Sequence, residues 1–132
     1  MQTKISYLSD LRFNLETWKR ELRFHMNEMD TFQEKLEEIA AREYDKGIMV
    51  MVENFQNRIM IECNAISKLM HRCKHKMNSL LLADHSENID GRLMREQRPL
   101  KDDMRQYIIM HYQLKEEMMD FFAQHLSTVN QN

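Results

Sequence analysis

From Leu8 to Ile39 a series that is apolar but for His25 recurs at steps that alternate three and four: Leu8, Leu11, Leu15, Trp18, Leu22, His25, Met29, Phe32, Leu36, Ile39. A mean spacing of 3.5 residues keeps these side chains on one stripe of an α-helix and on no face of a strand. The same alternation returns as Ile48, Val52, Phe55, Ile59, Glu62, Ile66, Leu69, Cys73, Lys76, Leu80, and again as Leu100, Met104, Tyr107, His111, Leu114, Met118, Phe121, His125. Three such seams predict an all-α chain, an elongated antiparallel three-helix bundle with coiled-coil-like 3-4 spacing, forming a single domain over 1–132.

Composition agrees. The chain has two Gly, one Pro and 13 Met. Few residues can turn it, and its Met, Leu, Glu, Lys, Gln and Arg are strong helix formers. The helices are expected at about 5–43, 46–83 and 99–127. Tyr44-Asp45-Lys46-Gly47 is a short connection with Asp45 as N-cap and Gly47 as the conformationally permissive residue, which makes the first two helices antiparallel neighbours. Residues 84–98 read as a long loop containing Asp90-Gly91. Pro99 then occupies the first helical position, with Asp102 and Asp103 at the positive end of the helix dipole.

The formal net charge of -2 gives no overall pull towards nucleic acid or an acidic membrane. No apolar run approaches the length of a membrane span, and the start of the chain, broken by charge, does not read as a signal peptide. Cys63 and Cys73 fall ten residues apart on one helix, about 15 Å along its axis, too far to pair with each other. They read as reduced, mostly buried thiols, and the protein as cytoplasmic. Residues 1–45 carry -3, residues 46–83 carry +4 and residues 84–132 carry -3. A basic middle helix between two acidic ones guides pairing, although single surface pairs stabilise by well under ~1 kcal/mol.

His25 is the polar exception in the first seam, and Glu62 and Lys76 are those in the second; His25 and Glu62 lie at corresponding heights. His25 lies nineteen residues before the turn near residue 44 and Glu62 eighteen after it. A buried His25–Glu62 contact is expected, with Met118 of the third helix at that level and His111 about two turns away near Leu69 and Trp18. Such a layer fixes register, as buried polar residues do in coiled coils; its other use would be to hold a metal or small ligand.

Catalytic patterns are absent from the sequence. No histidine has Glu three residues before it, as di-iron carboxylate bundles require, and no His-x-x-x-Glu pair of the hemerythrin kind occurs. The isolated glycines exclude a phosphate-binding loop. His71 and His75 are one turn apart and are weak metal-ligand candidates, crowded by Lys68, Arg72, Lys74 and Lys76. Met49, Gln56, Cys63, Met70 and Met77 recur at intervals of seven, with Met60 alongside, and form a strip better read as core or interface than as a copper site. Arg92, Arg95 and Arg98 are diluted by neighbouring acids and read as solvated.

A second line on the third helix (Ile108, Tyr112, Lys115, Met119, Phe122, Leu126), apolar apart from Lys115, accompanies the strip on the second (Met60, Met70, Met77). Exposed apolar strips on long helices are normally covered, and two-fold self-association is the simplest cover. The expectation is a non-enzymatic interaction or scaffold protein without a cofactor, a homodimer through helices 2 and 3 that could also take another protein partner. The alternative is a bundle binding a metal or small ligand at a site centred on His25 and Glu62, with His111 or the His71/His75 pair contributing.

Overall fold

The structure is a computed structural model that describes residues 4–82 and 89–126, with side chains described for 8–81 and 95–126. It comprises α1 (Lys4–Arg42), α2 (Lys46–Leu82) and α3 (Ile89–His125), packed as a three-helix bundle. None of the described helices is long and apolar enough to cross a membrane.

Burial follows the 3-4 spacing. Leu11, Leu15, Leu22, Met29, Phe32, Leu36 and Ile39 of α1 face Val52, Phe55, Ile59, Ile66, Leu69 and Cys73 of α2 and Leu100, Met104, Tyr107, Leu114, Met118 and Phe121 of α3. The cross-helix partners give the directions. Arg58 meets Glu117 and Arg72 meets Asp103, so α2 and α3 are antiparallel. Glu28 meets Lys115 and Phe32 meets Phe122, so α1 and α3 run the same way.

Asp45 caps α2: its Oδ1 accepts from the Ile48 backbone N–H at 3.1 Å, one of the donors the first turn leaves free. Gly47 needs no unusual conformation. It lies in that first turn, and no described residue has a positive φ. A Cβ there would stand 3.1 Å from Asp45 Oδ1, so the small residue leaves room for the cap.

The third helix begins ten residues earlier than its sequence signals indicate. Residues 89–98, expected as loop, are helical, Asp90-Gly91 among them, and Pro99 lies inside α3. The rest of that expected loop, 84–88, falls outside the described residues. A proline inside a helix removes the bond to the carbonyl four residues back and crowds it. Here that carbonyl belongs to Arg95, and both Arg95 and Pro99 are exposed, so water can serve the freed group. The opposite face holds the helix down: Gln97 and Leu100 are buried, and Gln97 Nε2 reaches the Leu11 carbonyl of α1 at 3.5 Å.

Candidate functional site

At mid-height the apolar core gives way to a hydrogen-bonded layer. His25 of α1, Glu62 of α2 and His111 of α3 are all buried. The expected His25–Glu62 contact does not form, because His111 stands between them. Glu62 Oε1 lies 2.9 Å from His111 Nδ1, while the His25 and His111 rings stack at 3.6 Å between centroids and 8° between planes. His111 therefore belongs to this layer and not to a level two turns away. The extension of α3 explains the correction. The midpoint between Leu82 and Ile89 is about residue 85.5, so the residue facing Glu62 lies near 109, about two and a half turns before the Met118 that a longer loop would place there.

Four further residues complete the layer. Tyr107 Oη lies 2.8 Å from His25 Nδ1. Glu28 puts Oε1 3.4 Å from His111 Nε2 and accepts from Lys115 Nζ through Oε2 at 2.7 Å. Glu21 Oε1 stands 3.8 Å from His25 Nε2. Burial, then the neighbouring His111, lowers the His25 pKa from 6.5 to about 4, the latter effect partly offset by Glu28. A neutral His25 with its proton on Nε2 fits both neighbours: Nε2–H faces Glu21 and Nδ1 accepts from the Tyr107 hydroxyl. Burial, followed by Glu62 and Glu21, raises the Tyr107 pKa far above its ordinary value, so this hydroxyl keeps its proton. Among the described residues, Glu28 Oε1, Glu62 Oε2 and His111 Nε2 are buried without a hydrogen-bond partner. The first and last face each other just beyond bonding geometry; Glu62 Oε2 stands alone.

Sequence patterning singles out His25, Glu62 and His111 as seam exceptions, and Lys115 as the charged break in the second line of α3. Glu28 carries no such mark, since a flanking acid on an exposed-looking face resembles any other. Tyr107 reads as ordinary core until its hydroxyl has a partner.

The other candidates are dispersed. His71 and His75 are exposed, and no group of three His, Cys, Asp or Glu among the described residues is arranged to hold a metal ion. Cys63 and Cys73 are free thiols whose pKa values burial pushes up, Cys73 to about 11. The expected helix 2–3 interface does not form one surface. Met70 and Met77 are half-buried against the core, and Met70 shares a shallow groove with Met26 of α1. Met60 flanks that same side of α2, one turn from Cys63. Ile108 and Leu126 are half-buried, and Phe122 belongs to the core, its ring 5.5 Å from Phe32 of α1. Both strips turn towards α1, so they border different grooves. Tyr112 and Met119 remain exposed.

Fold and site together define an all-α three-helix bundle with a buried His/Glu/Tyr layer. No protein-family model matches the chain, and comparison with curated proteins and with solved structures finds no match either.

Proposed function

We propose that the protein is a non-enzymatic helical interaction module that self-associates through the outer face of α3. The observation that carries this reading is a line of exposed apolar side chains there: Ile109 (60% exposed), Tyr112 (51%) and Met119 (50%). These positions share an arc of about 80° on the helix and span about 15 Å. Half-buried Ile108 and Leu126 border the line. Phe24 of α1, also exposed, approaches the His25 ring from one side as Tyr112 does from another, at 6.2 and 6.0 Å. Apolar side chains grouped in this way favour a covering partner.

The charges on the same face favour a second copy. In an antiparallel pairing of two α3 helices about a two-fold axis, residues whose numbers sum to a constant lie opposite each other. About an axis between Met110 and His111 that sum is 221. Ile109 then faces Tyr112, Arg105 faces Glu116 and Lys101 faces Asp120, each pairing occurring twice. All six residues are exposed. The arrangement puts apolar pairs at the centre and opposite charges outside, the usual anatomy of an interface.

Light scattering behind size exclusion tests this directly. The wild type should be a dimer. Arg105→Glu and Glu116→Arg should each give monomers, because each opposes like charges, and the double exchange should restore the dimer. A monomeric wild type, or single variants that remain dimeric, would remove the reading.

A further inference from the structure

The positive charge of α2 is answered unevenly. Towards α3, Arg58 pairs with Glu117, Arg72 with Asp103 and Lys76 with Glu96. Towards α1 the matching stops. A groove of about 390 Å³ between α1 and α2 is lined by Arg23, His71 and Lys74, with Asn27 and Ser67, and by no carboxylate among the described residues. Arg23 and Lys74 are exposed and make no ion pair among the described residues. The sequence sets this locally. One turn from Arg23 stand Lys19, Arg20, Met26 and Asn27; one turn from Lys74 stand Met70, His71, Met77 and Asn78. Neither cation has an acid within reach on its own helix, although residues 1–45 carry -3.

Between these two basic rims the floor is apolar. Ile66 is fully buried there, and Met26 and Met70 are half-buried. On α2 the strip recurs every seven residues from Cys63 through Met70 to Met77, all half-buried, over about 21 Å. On α1, Lys19 holds the place seven residues before Met26 and is half-buried too, which carries the basic character along the groove. Towards Cys63 that character ends. Asp30 stands there, and its charge adds to burial in raising the pKa of that thiol.

The occupant must answer a short basic stretch and a methionine floor together. A nucleic-acid strand would overrun the stretch, meet Asp30 and leave the methionines uncovered. A small anion would meet cations that water already screens. An amphipathic helix satisfies both features, because its apolar ridge fills a groove while its flanks reach the rims, and flexible methionine side chains adapt to such a ridge. We infer that the α1–α2 groove is a docking site for an acidic amphipathic helix of another protein. Its apolar ridge lies on Met26, Met70 and Met77, and its carboxylates meet Arg23 on one rim and Lys74 on the other. The site does not depend on self-association, which uses the outer face of α3, so either can fail while the other holds.

Methionine-methyl NMR on the full chain at pH 7 and low salt reads the site. The probe is a synthetic helical peptide of about 18 residues, long enough to span the strip, with leucines at steps of three and four and glutamates on both flanks. Its counterparts are the same peptide with lysine at every glutamate, and a single-stranded DNA of similar length. The acidic peptide should shift the Met26 and Met70 methyls saturably, leave Met110 and Met119 on α3 unmoved, and bind more weakly as salt is raised. The lysine peptide should bind weaker by about tenfold or more. Arg23→Glu and Lys74→Glu, both at exposed positions, should keep the fold and each weaken the acidic peptide by about tenfold. No saturable shift by about 1 mM acidic peptide would overturn the inference. So would equal affinity for the lysine peptide, or unchanged affinity in both charge-reversed variants. Tighter binding of the DNA would assign the basic rims to nucleic acid instead.

Discussion

Two layers of the same core, about two turns apart, are built on opposite principles. In one, Phe32 meets Phe122 at 5.5 Å and Phe55 meets Phe121 at 5.1 Å, with Leu36 and Met118 fully buried nearby. In the other, His25, His111, Glu62 and Tyr107 are joined by ring stacking and hydrogen bonds. The aromatic layer stabilises by removing apolar area from water and by edge-to-face and tilted ring contacts, which tolerate small shifts of one helix along another. The polar layer tolerates none. A slip of one turn would leave a buried carboxylate and two imidazoles without partners. The aromatic layer contributes stability, and the polar layer selects one register among several of similar apolar content.

The largest effect should come from the aromatic layer. Phe121→Ala is expected to cost about 3–5 kcal/mol in urea unfolding, with little dependence on pH between 5 and 7. A loss under about 1 kcal/mol would mean that this layer is not the densely packed part of the core.

Next is Glu62→Ala, which strands the His111 ring beside Glu28. It should cost about 2–4 kcal/mol, whereas Glu53→Ala on the exposed face of α2 should stay within about 0.5 kcal/mol. Equal effects would show that the polar layer does not discriminate between registers.

The two layers also part on pH. His25 has a folded-state pKa lowered to about 4 against 6.5 in its ordinary state. As pH falls below 6.5 the unfolded chain takes up a proton that the folded chain refuses, so stability is lost progressively until the folded ring titrates near pH 4. The full loss is about 3 kcal/mol. Urea midpoints at pH 7 and pH 4.5 should differ accordingly in the wild type, and should differ less in His25→Phe. An unchanged pH dependence in that variant would place the titration elsewhere.

Smallest is Arg72→Ala, which removes a partly exposed pair with Asp103. It should cost under about 1 kcal/mol, and less still at high salt.

Much of this comparison was legible in the residues. His25, Glu62 and His111 break seams that are otherwise almost apolar, and one side chain's chemistry at one position in a repeat is local information. Which of them touch was not legible, because contact depends on where α3 starts. The misleading residue was Pro99. Its fixed φ and missing N–H suit a first turn, and only the burial of Gln97 and Leu100 against α1 shows why the helix continues through it. The series Leu93, Gln97, Leu100 continues the seam backwards at steps of four and three and could have signalled it. Phe122 was misplaced for a related reason. A residue flanking the seam can point to solvent or into a neighbour, and the spacing is identical in both cases.

The sequence by itself determined the helical class of all three elements and, closely, the bounds of the first two. Helical periodicity, helix-forming side chains and the Asp45 cap all act over a few residues and need no partner to be read. Tertiary structure alone decided the rest: the stacking of His25 on His111 and the recruitment of Glu28, Tyr107 and Lys115. Those depend on the relative height and rotation of three helices, which are set by summed packing over distant positions that no local pattern encodes.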